Sequence, residues 1–189
     1  MNILGLAGPP GSGKTTLAWA LTAQWGPGTA TIPVDGFHLP NATLEERGLA
    51  DRKGAPDTYD VPALIKFLEA LRDPKRGDLT APDYSRELHE PVADAIEIPA
   101  AITTVILEGN YLGLNRAPWN EVRPLLDLLW YIDQPWPVTS KRLIARRVET
   151  GRDVTEARKW VESVDRDNDA LVRSKTRSVD RVITPEELR

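Results

Sequence analysis

Cysteine is missing from all 189 positions, which excludes a disulfide framework, a thiolate nucleophile and a cysteine-held metal cluster, and fits a reducing compartment. Histidine occurs only at 38 and 89, too few for a histidine-built zinc site. No apolar run reaches the roughly 18 residues of a membrane-spanning helix. The opening Met1-Asn2-Ile3-Leu4-Gly5-Leu6-Ala7-Gly8 has no basic stretch in front and Lys14 close behind, so it does not read as a signal peptide. Basic charge is also in deficit: 24 Lys and Arg against 28 Asp and Glu give a net charge of −4, without the positive surface that dominates nucleic-acid affinity. These absences point to a cytoplasmic protein with neither a nucleic-acid nor a membrane partner.

What is present is an ordinary globular balance, 41% hydrophobic and 28% charged, on a length that suits a single domain over 1–189. Apolar runs at 3–7, 29–34, 103–107, 125–132 and 179–183 read as strands, and they alternate with helices expected at 14–24, 61–72, 138–148 and 155–172. In the second of these helices Leu64, Ile65, Leu68 and Leu71 form one stripe behind a capping Asp60. Residues 79–99 read as a small hairpin or as irregular structure, and 37–59 as a functional excursion rather than core. The alternation, without hairpin signals between the main strands, predicts an α/β fold whose parallel sheet is covered on both faces, with ligands at the carboxyl ends of its strands.

Gly8-Pro9-Pro10-Gly11-Ser12-Gly13-Lys14-Thr15 satisfies G-x-x-x-x-G-K-[ST] between an apolar strand and a helix, the setting the phosphate-binding loop needs. Gly8, Gly11 and Gly13 let the backbone wrap a triphosphate with its N–H groups, Ser12 among them, and the helix N-terminus adds a favourable dipole. Lys14 is expected on the β- and γ-phosphates and Thr15 on Mg²⁺, with Thr16 a further phosphate contact. ATP and Mg²⁺ are thus the expected nucleotide and ion. The loop is shared by kinases, switches and motors, so other residues must select the reaction.

Asp35 ends the second strand beside Gly36, where a missing side chain permits close approach by another backbone or a ligand. A carboxylate there can take the proton of an acceptor hydroxyl as the phosphoryl group moves. Glu108 follows the apolar run ending at Leu107, a position suited to holding Mg²⁺ through water or to contacting substrate. Lys141, Arg142, Arg146, Arg147 and Arg152 cluster on and after one helix; Arg147 and Arg152 are the candidates for closing over ATP. The segment 174–178 is the expected adenine side. No Asn-Lys-x-Asp guanine-reading segment occurs, which argues against a regulatory GTPase.

Asp35-Gly36-Phe37-His38, Glu46-Arg47-Gly48-Leu49, Arg52-Lys53-Gly54-Ala55-Pro56 and Asp57-Thr58-Tyr59-Asp60 together resemble the phosphoribulokinase/uridine kinase superfamily, including bacterial type I pantothenate kinases. Glu108-Gly109-Asn110-Tyr111-Leu112, Pro118-Trp119 and Asn168-Asp169-Ala170-Leu171-Val172 look most like a branch labelled fructose transport system kinase. The resemblance implies a three-layer P-loop fold with a central five-stranded parallel sheet, helices on both faces and a nucleoside-kinase-like helical lid at about 141–156. It also implies Asp35 as catalytic base, with Lys14 beside it in catalysis. Tyr84 sits as in pantothenate kinases, with Arg86 where they carry histidine, and Tyr84 and His89 keep a uridine-kinase spacing. With His38, Tyr111 and Asn168 these form the expected substrate-binding set. The implied function is transfer of the γ-phosphate of ATP to a hydroxyl of a nucleoside, a pantothenate-like acid alcohol or a sugar. The alternative is a P-loop ATPase working as a switch or assembly factor; a homodimer is among the assemblies open to the chain.

Overall fold

The computed structural model describes residues 1–188. The chain opens with β1 (Asn2–Ala7), α1 (Lys14–Trp25) and β2 (Thr29–Pro33), followed by 3₁₀ turns, the short α2 (Asn41–Glu46) and α3 (Val61–Arg72). Then come β3 (Leu79–Ser85), β4 (Glu90–Ile98), β5 (Thr104–Glu108) and β6 (Leu128–Ile132). The last third holds α4 (Trp136–Glu149), α5 (Val154–Trp160), a π-helical turn (Val161–Asp165), α6 (Arg166–Lys175) and β7 (Arg181–Ile183). No helix among the described residues is long and apolar enough to cross a membrane.

Five strands form one parallel sheet in the order β2-β5-β1-β6-β7. Alternation along its strands assigns the two faces. Leu4 and Leu6 of β1 with Ile106 of β5 pack under Ala18 of α1, while Ile3, Val105 and Leu107 join the larger core that holds Leu64, Leu68 and Leu71 of α3. The α3 helix begins where Asp60 accepts a hydrogen bond from the Ala63 N–H at 3.0 Å and ends before Asp73-Pro74, so cap, stripe and stop agree. Residues 79–99 resolve into an antiparallel hairpin of β3 and β4.

Three expectations change. The strand expected at 125–132 begins only at Leu128, since Arg123–Leu125 turn as a 3₁₀ helix. The helix expected at 155–172 is three pieces, because the π turn inserts residues that shift the face presented by α6. The stretch 37–59 is also more deeply built in than a functional excursion: Phe37, Leu39, Leu44, Ala55 and Tyr59 are buried. Its backbone is held by core aromatics, with the Tyr111 hydroxyl donating to the Gly54 carbonyl at 2.7 Å and the Trp119 indole to that of Pro56 at 2.9 Å.

Register brings Leu6, Pro33 and Glu108 level at the carboxyl ends of β1, β2 and β5. Just past Pro33, Gly36 meets the hairpin: a β-carbon there would lie 2.2 Å from the Pro82 carbonyl oxygen and 3.0 Å from the Asp83 α-carbon. The close approach is made by another backbone. Gly36→Ala is therefore expected to destabilise by about 1–3 kcal/mol, the range for overpacking, lowering the melting temperature about 2–4 °C per kcal/mol. A thermal melt at wild-type stability would mean that the hairpin yields there without cost.

Candidate functional site

The phosphate loop runs from Gly8 to the first turn of α1, and its shape depends on residues without β-carbons. Gly13 precedes α1 at φ 101°, a left-handed conformation that side chains avoid. Gly11, at φ 75°, has the Thr139 carbonyl oxygen 2.9 Å from where a β-carbon would stand, so α4 closes directly on the loop. Lys14 folds back into this cradle and donates to the carbonyls of Gly8 at 3.1 Å and Pro9 at 3.0 Å. Ser12 is fully buried beneath it.

Glu108 stands over the same point. It is 7% exposed and accepts the Thr15 hydroxyl at 2.8 Å. Burial lowers Lys14 to about 8, with Glu108 and Asp35 pulling it back up. Burial likewise raises Glu108, against the opposing attraction of Lys14. Each charge is thus kept from water and balanced mainly by the other. The donor set fits a hard divalent ion that takes a hydroxyl and a carboxylate from protein and the rest from phosphate and water; among the described residues no cluster of three His, Asp or Glu gathers elsewhere to hold a metal.

A cleft of about 980 Å³ extends from the loop past Thr15, Thr16, Trp19, Asp35, Glu108, Arg142 and Arg146. A second of about 780 Å³ continues on the far side of Asp35. Asp35, Tyr84, Arg86, Asn110 and Arg146 line both, so they mark the junction. The Asp35 carboxylate is exposed there and accepts the Tyr59 hydroxyl on Oδ1 at 3.1 Å. Burial first, then the Asp35 charge and this hydrogen bond, raise Tyr59 well above the usual tyrosine range, which keeps it a donor.

The arginines expected on ATP are placed differently. Arg147 turns from the loop to pair with Asp165 at 3.1 Å and stacks on Trp160 at 5.0 Å; Arg147 and Arg152 line only the second cleft. From α4 it is Arg142 and Arg146 that reach the phosphate side, Arg142 donating to the Gly11 carbonyl at 3.3 Å. Their i, i+4 spacing put both on one face, a signal the sequence held without saying which way the face pointed. The segment 174–178, expected on the adenine side, lines neither cleft. It packs on 113–115 instead, through Arg177 N–H to the Gly113 carbonyl and Asn115 N–H to that of Lys175.

Of the residues expected on substrate, Tyr84, Arg86, His38, His89 and Asn168 line the second cleft. His38 lies against the Tyr59 ring with centroids 3.8 Å apart, and burial lowers its pKa. His89 sits at the hairpin turn with φ 52°, its carbonyl accepting from Lys53 at 2.6 Å. Tyr111 does not reach either cleft: it is wholly buried against Tyr59 and Trp119. Its motif serves the core and the Gly54 carbonyl. Asn168 already has a protein partner in that same carbonyl at 3.3 Å, and it shares its buried face with Asp165 and Asp169. Lys53 and Asn41 in the second cleft were not foreseen; they come together only because α2 packs beside the hairpin turn.

A glycine-lined loop with a buried lysine, a hydroxyl–carboxylate pair and an exposed aspartate beyond it define a P-loop nucleotide-binding protein. The chain belongs to the phosphoribulokinase/uridine kinase family, whose model matches residues 3–186. It is 40% identical over 163 residues to the uncharacterized protein YggC of Escherichia coli K12, covering 82% of this chain and 67% of that one. A pantothenate kinase of Rhodopseudomonas palustris is 36% identical over 155 residues, 76% of this chain and 48% of that enzyme. The crystal structure of a protein described as a "putative fructose transport system kinase", from Silicibacter sp. TM1040, superposes with a TM-score of 0.87 at 31% identity, over 96% of this chain and 89% of its own. The five-stranded parallel sheet is shared with these P-loop kinases.

Because Lys14 in the free protein titrates near 8 and phosphate contact raises it, nucleotide binding takes up a proton above that pH. The dissociation constant for Mg·ATP is expected to be flat below about pH 7.5 and to weaken up to about tenfold per unit above 8. Calorimetry across pH 6.5–9.5 checks this, and Lys14→Arg, charged throughout, should flatten the profile.

Proposed function

We propose that the protein is a small-molecule kinase that transfers the terminal phosphate of ATP to a hydroxyl of a metabolite bound in the second cleft. The observation that carries this reading is the placing of Asp35, an exposed carboxylate where the two clefts meet, with Oδ1 occupied by Tyr59. Oδ2 is left to accept the acceptor hydroxyl. The hydroxyl proton passes to Asp35 as the oxygen attacks in line, the bond to the terminal phosphorus forms, and that to the bridging oxygen breaks.

The chain's own groups then divide the work. Lys14 and the loop N–H groups hold the phosphates, and Arg142, Arg146 and Arg86 surround the developing charge. Thr15 and Glu108 would hold Mg²⁺, which when bound neutralises phosphate charge and fixes the polyphosphate. Closure of the segment around 141–156 would keep water from the phosphoryl group. Family membership supports phosphotransfer, and the loop supports ATP as donor.

Asp35→Asn keeps the shape and the Tyr59 contact but removes the base. It is expected to lower kcat about 10²–10⁴-fold while changing the Mg·ATP dissociation constant less than about threefold. ADP release measured against hydroxy acids, sugars and nucleosides checks this. Full turnover by the variant would remove Asp35 from the mechanism, and ATP hydrolysis indifferent to every acceptor would favour a switch ATPase.

A further inference from the structure

The second cleft has a charge character opposite to that of the chain. Its lining holds Lys53, Arg86, Arg146, Arg147, Arg152 and Lys159 against the carboxylates of Asp35, Asp51, Glu156 and Asp165, whereas the whole chain carries −4. Only Arg147 among these cations is neutralised at contact distance, by Asp165. Among the described residues Lys53, Arg86, Arg146, Arg152 and Lys159 have no carboxylate within an ion pair's reach.

Arg86 and Arg146 border the phosphate side as well, so a triphosphate and the transferring group account for them. Lys53 and Arg152 line only the acceptor side. Lys53 is fixed: its ammonium donates to the Asn41 side-chain oxygen and the His89 carbonyl, and it lies 5.2 Å from the centre of the Tyr84 ring. Both oxygens are neutral. The negative charge of Glu90, which accepts the Asn41 N–H at 3.0 Å, acts on Lys53 without forming an ion pair with it. A partly desolvated, immobilised cation with no carboxylate in direct contact keeps donor capacity that an arriving anion can take up.

We propose that the acceptor is itself an anion, a hydroxy compound bearing a carboxylate or a phosphate, whose charged group is held in the second cleft by Lys53 and Arg152 while its hydroxyl faces Asp35. This rests on the kinase reading. It names the acceptor's class: a neutral sugar or nucleoside would leave those cations unmatched, whereas an anion converts them into charge-assisted hydrogen bonds. Asp35 repels a bound anion, so the charged group must sit at the Lys53 end and only the neutral hydroxyl at the aspartate.

The test uses charged and neutral twins: D-glycerate with glycerol, pantothenate with panthenol, and ribose 5-phosphate with ribose, together with uridine. ADP release is read in wild type, and binding is read by calorimetry on Asp35→Asn with Mg·ADP present. The carboxylate and phosphate arms separate the two sources of charge. Support is turnover of one charged member at least about 100-fold better in kcat/KM than its twin. Lys53→Met should then raise its KM at least about tenfold with the KM for Mg·ATP within about threefold. Arg152→Gln, on an exposed turn, gives the same readout should Lys53→Met disturb the hairpin.

Turnover of uridine or of a neutral twin at equal or better efficiency overturns the proposal. If no acceptor is turned over, the kinase reading falls, and calorimetry decides the anion site by itself. Binding of a charged probe but not its twin, lost in Lys53→Met, upholds the site; binding of neither overturns it.

Discussion

Three parallel strands ending level are what the rest of this molecule hangs on. The ladders pair Leu6 with Glu108 and Glu108 with Pro33, so the phosphate loop, the Glu108 carboxylate and the turn carrying Asp35 leave the sheet at one height. Slipping one strand by a residue would exchange its buried and facing side chains and move Glu108 away from Thr15. The register is secured by apolar residues that have no part in chemistry: Ile3, Leu6, Val105, Ile106, Leu107 and Ile32, all fully buried. The geometry of the candidate site is thus inherited from packing on both faces of the sheet.

Placing Lys14, Glu108 and Asp35 this close creates an electrostatic problem that a nucleotide resolves. Burial disfavours the charged forms of Lys14 and Glu108, and each is sustained chiefly by the other. Lys14 meanwhile spends its donors on the Gly8 and Pro9 carbonyls. A triphosphate would bring negative charge to the lysine, and a divalent ion would bring positive charge to Glu108. The free site therefore holds buried charges that are hydrogen-bonded but disfavoured by burial, the condition in which fixed dipoles act most strongly on an incoming charge.

Much of this was legible in the sequence because its signals are local. The loop motif, the β-branched run before Glu108, the Asp60 cap and the α3 stripe each specify structure within a few residues, and the sheet follows from their alternation. What stayed hidden depends on distant partners. Arg147 and Arg152 looked like the lid's contribution to ATP, yet Asp165 draws Arg147 aside, and it does so from the far end of a π turn that the periodicity did not reveal. Tyr111 and Asn168 were both expected on substrate, and both donate to the single carbonyl of Gly54, Tyr111 from the core and Asn168 from the lining of the second cleft. That carbonyl is made available by the fold of 37–59, and no local pattern announces it.

A general criterion follows from these placements. Polar side chains that already have protein partners, such as Tyr111, Trp119 and Arg147, are explained by the fold, whatever motif they belong to. Among the polar groups left over, Asp35 Oδ2, Arg86, Arg146, Arg152 and the remaining donor capacity of Lys53 lie along the two connected clefts. Only Lys53 among them is half-buried and the rest are exposed, so the cost of unpaired charge falls on Lys53, while the exposed arginines give the clefts a positive field that favours an anionic ligand. On the loop side the proposed ligand is a polyphosphate. Beyond Asp35 the proposed acceptor is a second anion, small enough to leave its hydroxyl free to meet the aspartate, and the excess of cations in that cleft is what favours an acceptor acid over a neutral nucleoside.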